Sequence, residues 1–172
     1  MTMTLIEHYE APSAVSSIVF SDIPQDYTDL YLVLSTREAT GTDGNVRLSI
    51  NGSTANLTAR DIEGGGSGTP SSSSRSFIAI VSAKSNFTAS TFGVASVYIP
   101  NYTSSANKSI SVDAVTENNA TLSYQSILAG LWSNSAAITS LSVAAPVGNI
   151  AQYSSATLYG ILAGSDGTTA VS

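Results

Sequence analysis

Along most of the chain, apolar and polar residues alternate with a period of two, as in strands that bury one face and wet the other. The stretch DLYLVLST sets Leu30, Leu32 and Leu34 on one side and Tyr31, Val33 and Ser35 on the other. NVRLSING repeats the pattern with Val46, Leu48 and Ile50. It ends on Asn51-Gly52, a dipeptide that favours the positive φ angles of a tight hairpin turn. RSFIAIVSA, TFGVASVYIP, KSISVDAV, LSYQSILAGLW, AITSLSVAA and SSATLYGILA read the same way, and MTLIEHY and SSIVFS add two strands near the N-terminus. In KSISVDAV the inward set is Ile110, Val112 and Ala114, with Lys108 and Asp113 among the flanking polar positions. The expectation is all-β: an antiparallel β-sandwich, jelly-roll-like, of about nine or ten strands. ANLTARDIEG has room for a short helix, but Thr58 and the glycines that follow favour strand or loop.

Two segments break the alternation. Gly64 to Ser76, GGGSGTPSSSSRS, has too little side-chain volume to pack and reads as a mobile loop between strands, or as a contact loop that orders on a partner. The polar stretch 164–172 reads as a tail. Residues 1–163 are expected to form a single domain, consistent with a chain of 172 residues in which no fixed-period repeat is visible.

Composition narrows the function classes. Charged residues make up 10% of the chain, against about 25% in an ordinary soluble protein. The surface must then be built from Ser, Thr, Asn, Gly and Tyr, and its contacts should depend weakly on salt. A net charge of −6, with only Arg37, Arg47, Arg60, Arg75, Lys84 and Lys108 as scattered cations, argues against nucleic acid as a partner. There is no Cys, so redox compartment is not indicated. The first residues, MTMTLIEHYEAPS, lack the basic and apolar regions of a signal peptide, and no apolar run is long enough for a spanning helix.

Candidate chemistry is sparse. His8 stands alone on a strand, with no G-x-S-x-G elbow for it to serve. Asp113 and Glu117 are four positions apart and need not converge as glycosidase carboxylates must. Asp61 and Glu63 share a strand face and could hold a cation weakly, although a solvated edge is the simpler reading. The turns GTDGN and GSDG hold one Asp each, too few oxygen ligands for calcium. Asn-x-Ser/Thr triplets at Asn51, Asn56, Asn86, Asn101, Asn107 and Asn119 are expected by chance in so Ser/Thr-rich a chain. No catalytic residue, cofactor or metal is expected. Tyr102 and Tyr153, in the turn-like PNYTSS and AQYSSA, and the single Trp132 are the candidate contact residues, although core or corner packing is the first reading for the tyrosines.

SSIVFSDIPQDYTDLYLVLSTRE, VRLSINGSTANLTARDI, YIPNYTSSANKSISVDAVTENNA, ILAGLWSNSAAITSLSV and NIAQYSSATLYGI together resemble virion structural proteins of tailed bacteriophages of aquatic bacteria. The resemblance runs from about Thr4 to Ile161, is most specific from Asn101 to Trp132, and departs in the Gly/Ser loop and the tail. It implies a non-enzymatic β-sandwich building block of a particle. The first expectation is a capsid decoration (cement) protein, a homotrimer bound to the major capsid protein at the virion surface. The alternative is a tail-fibre or receptor-binding module that recognises host surface glycans. Analogy with virion proteins, rather than any residue, supplies the trimer.

Overall fold

A computed structural model describes residues 2–66 and 68–162, which hold twelve strands and no helix. In chain order they are β1 (Thr2–Glu10), β2 (Ser17–Phe20), β3 (Asp29–Thr36), β4 (Asn45–Ile50), β5 (Leu57–Gly65), β6 (Ser71–Arg75), β7 (Ile78–Val81), β8 (Gly93–Ile99), β9 (Lys108–Glu117), β10 (Ser123–Trp132), β11 (Leu141–Ala144) and β12 (Ser155–Leu162). All ten strands read from the alternation are present. The two beyond that number are β5, in the segment left between strand and loop, and β6, inside the segment expected to be a mobile loop. Ser71 to Glu63 and Arg75 to Ala59 mark the two ends of an antiparallel β5–β6 pairing. Serines lend little packing, but the ladder uses backbone groups, and Arg75 anchors the strand with two bonds to the Asp61 carboxylate at 3.1 and 3.2 Å. The boundary at 163 and the tail 164–172 lie outside the described residues.

Every pairing between these strands is antiparallel. One sheet runs β1-β12-β3-β8-β9-β10-β5-β6 and the other β2-β11-β4-β7. Without β5, β6, β9 and β10, the orders β1-β12-β3-β8 and β2-β11-β4-β7 are those of a jelly roll, first strand beside last in one sheet and second beside penultimate in the other. Two inserted hairpins, β5–β6 between β4 and β7 and β9–β10 between β8 and β11, extend the first sheet beyond β8. Leu30, Leu32, Leu34, Val46, Leu48, Ile50, Ile78, Ile80, Val97, Val112, Leu128 and Leu158 fill the space between the sheets. At about 1.5–3 kcal/mol for each large side chain buried, this layer is the main source of stability.

The expected turn at Asn51-Gly52 is present, with φ of 51° and 72° and reciprocal backbone bonds between Ile50 and Ser53 at 2.9 and 3.0 Å. The Asn51 side chain also crosses to another connection, donating to Ala137 O and accepting from Thr139 N and Ser140 N. Two cations tie loops in a similar way. Arg37 donates to the carbonyls of Ser85, Phe87, Thr88 and Thr91 at 2.8–3.0 Å, gathering residues 85–91 around one guanidinium. Lys108 is in phase with Ile110 and Val112 and points inward, not among the flanking polar positions. Its ammonium donates to Ser104 O, Ala106 O and Ala136 O at 2.6–2.8 Å, with Asn134 O at 3.4 Å and the Trp132 ring centroid at 5.6 Å. Burial draws the Lys108 pKa below the ordinary lysine value.

Glu38 is fully buried beneath the loop that leads into β4. Oε1 accepts from the Gly44 N–H at 3.1 Å, while Oε2 has no partner among the described residues. Burial, reinforced by nearby Asp43, raises its pKa above the ordinary 4.5 against the lowering effect of the backbone bonds and Lys84. The folded state therefore holds this proton to higher pH than the unfolded chain does. The stability linked to it is fully present at or below 4.5 and is lost as pH rises through the elevated folded value. Glu38→Gln should melt no lower than wild type in acid and higher at neutral pH. A melting difference between the two proteins that stays constant from pH 4 to 7 would show that Glu38 does not titrate in this way.

Candidate assembly interface

Alternation on strands of the extended sheet puts a second set of residues on its outward face, away from the smaller sheet. β8 presents Val94, Ser96 and Tyr98. β9 presents Ser109, Ser111, Asp113, Val115 and Glu117. β10 presents Gln125, Ile127, Ala129 and Leu131, and β5 presents Thr58, Arg60 and Ile62. Register lines these up in rows. Ser96, Asp113, Ile127, Ile62 and Ser72 form one row, and Tyr98, Ser111, Ala129, Arg60 and Ser74 the next. Further along, Tyr31 stands between Tyr98 and Tyr159. Tyr98 is fixed by donating its hydroxyl to Asp29 Oδ2 at 2.8 Å, a bond to a carboxylate that raises its phenol pKa.

This face mixes uncharged polar residues with more large exposed apolar side chains than a solvated sheet should carry. Ile127 is 67% exposed, Ile62 64%, Val94 52% and Val115 45%, with Leu131 and Tyr98 beside them. Most of this exposed apolar surface lies on the inserted hairpins and the β8 strand they extend. Shallow depressions run between the rows, one lined by Ile62, Ile127, Ala129 and the β6 serines, another by Val94, Val115, Phe92 and Gln125. The charged side chains among them are Arg60, Asp113 and, at the hairpin end, Glu117. Arg60 returns one N–H to its neighbour's carbonyl, Ala59 O.

A polar cleft of about 290 Å³ opens on the other side of β5, where the inward face passes beyond the β7 edge. It is lined by Asp43, Asn45, Asp61, Glu63, Arg75, Lys84 and Tyr124. Asp61 is spent on Arg75. The Lys84 ammonium lies 3.3 Å from the Tyr124 hydroxyl and 4.8 Å from its ring centroid, and Phe87 stacks parallel to that ring at 6.4 Å. Tyr124, the aromatic side chain lining the cleft, thus already has Lys84 and Phe87 beside its ring.

Of the three candidate contact residues, two are interior. Tyr102 is fully buried, its hydroxyl donating to Pro24 O, because the turn after β8 folds its ring inward over the core. Trp132 is buried over the Lys108 ammonium. Tyr153, held at a φ of 67°, keeps 63% of its surface exposed, away from the outward face described above. His8 bonds Thr157 Oγ1 at 2.8 Å on the edge strand. Asp113 and Glu117 point outward from one strand about 13 Å apart, at 3.3 Å per residue, and do not converge. Among the described residues no three His, Cys, Asp or Glu side chains gather to hold a metal ion. The outward face was not read from the sequence, although Val115, Ile127 and Ile62 all stand out of phase with the inward residues of their strands.

Compared with protein-family models, curated proteins and solved structures, the chain gives no match.

Proposed function

We propose that the protein is a non-enzymatic structural component of a phage virion, a decoration protein that binds the capsid surface and reinforces it. The observation that carries this reading is the broad outward face of the inserted hairpins, with large exposed apolar side chains set among mostly uncharged polar ones. Adjacent exposed pairs such as Ile127 with Ile62 and Val94 with Val115 suit a surface that spends its life against other protein. Arg37 and Lys108 support the same reading, since their partners are neutral carbonyls that salt does not screen as it screens an ion pair. A particle exposed to varying salt benefits from loops held in this manner.

The second reading is a tail-fibre module that binds host glycans, and the polar cleft is what favours it. It ranks below the first because sugars are held by a free aromatic face beside polar groups, and the Tyr124 ring is flanked by Lys84 and Phe87. Antibody labelling of intact particles separates the two. Label spread over the head is the expected result, together with loss of heat resistance and unchanged host adsorption in particles that lack the protein. Label confined to the tail, with adsorption lost, would overturn the decoration reading.

A further inference from the structure

We propose that the outward face of the inserted hairpins packs on the same face of a second copy of this chain about a two-fold axis, with Arg60 of each copy opposite Asp113 of the other. This rests on reading the face as a contact surface, and adds what occupies it. Asp113 lies on β9 and Arg60 on β5, one row apart, with β10 between them. The midpoint of the line joining them therefore falls on β10 between Ile127 and Ala129. An axis in the plane of the face, through that point and perpendicular to the line, exchanges Asp113 with Arg60. Ile127, Ala129 and Ile62 lie close to this axis, so each meets its own counterpart or a neighbour of it. The same operation brings Leu131 of one copy toward Tyr98 of the other.

Two physical arguments favour a second copy over another partner. The face carries one acid and one base flanking an apolar centre, a charge pattern complementary to itself, as an isologous contact requires. Glu117, the remaining acid, stands at the rim, where water screens it. Size agrees as well. β8, β9, β10, β5 and β6, about 4.8 Å apart and about 20 Å long, make a face on the order of 500 Å², so two copies together bury about 1,000 Å², the lower bound for a specific interface. A two-fold contact also closes on itself, so it ties together copies seated at neighbouring sites without growing into a fibre.

Analytical ultracentrifugation of the full chain tests this, with circular dichroism melts to confirm that each variant is folded. Wild type should be dimeric. Arg60→Asp sets acid against acid twice in the dimer and should weaken association about tenfold or more, and Asp113→Arg should do the same with bases. Combining the two reverses both partners and should restore association to within about threefold of wild type, a rescue that general surface damage would not give. Ile127→Lys, at an exposed site, should yield a folded monomer. A wild-type monomer at all concentrations overturns the proposal, as does an oligomer, trimeric or otherwise, whose association none of these substitutions moves. A monomer that still binds particles, and loses that binding in Ile127→Lys, overturns self-pairing while leaving the face as a contact surface.

Discussion

Lys108→Met should destabilise the protein by about 2–4 kcal/mol, a substantial share of the roughly 5–15 kcal/mol that holds a typical domain together. Methionine is close to lysine in volume, so packing is not the main loss. The loss is electrostatic: the Lys108 ammonium is the donor for the carbonyls of Ser104, Ala106 and Ala136. Each carbonyl left without a donor costs up to about 1–3 kcal/mol, and less at Ala106 and Ala136, which are exposed to water. Because the carbonyls come from two connections, residues 104–106 and 134–136, both ends should loosen at once. Urea unfolding followed by Trp132 fluorescence measures this, since the ring lies against the ammonium. A loss under about 1 kcal/mol would mean that the cage is replaced by solvent at little cost.

Arg37→Met should cost about 2–3 kcal/mol, judged from several charge-assisted bonds at a partly exposed site. Its signature differs from that of Lys108. Arg37 gathers a single loop, so faster amide exchange should be confined to residues 85–91 and the neighbouring bridge to Ala83. Lysine in its place should recover only part of the loss, because a point-like ammonium cannot span acceptors that the planar fork reaches together. Raising salt should shift the wild-type melting temperature little, since carbonyl dipoles rather than ions are the partners. Strong salt sensitivity in wild type that vanishes in the Arg37 variant would contradict this account.

How far the sequence could be read depended on which physical signal each feature left in it. Period-two alternation exposed strands with a buried face, such as Leu30, Leu32 and Leu34 or Val46, Leu48 and Ile50, because burial selects apolar residues directly. The Asn51-Gly52 turn was legible for a comparable reason, as few dipeptides tolerate its backbone. β6 left no such trace. Its serines are compatible with loop or edge, and it is a strand because β5 offers a ladder and Asp61 a partner for Arg75. Lys108 stood in the phase of Ile110 and Val112, a usable signal, but a lysine in an inward register reads as polar until a cage of carbonyls is known to surround it. For Tyr102 the turn-like context left contact open beside core packing, the favoured role, and the folded chain closes over it as it does over Trp132.

The amino-acid pattern by itself determined an all-β chain of short antiparallel strands with little charge, since burial periodicity and turn chemistry are local. Only the tertiary structure decided that two hairpins extend one jelly-roll sheet past the other. Sheet order is set by contacts between residues far apart in sequence, and alternation does not encode which strand pairs with which. The same register brings Ile62, Ile127, Val115 and Val94 into one exposed face and places Arg60 and Asp113 on either side of its centre.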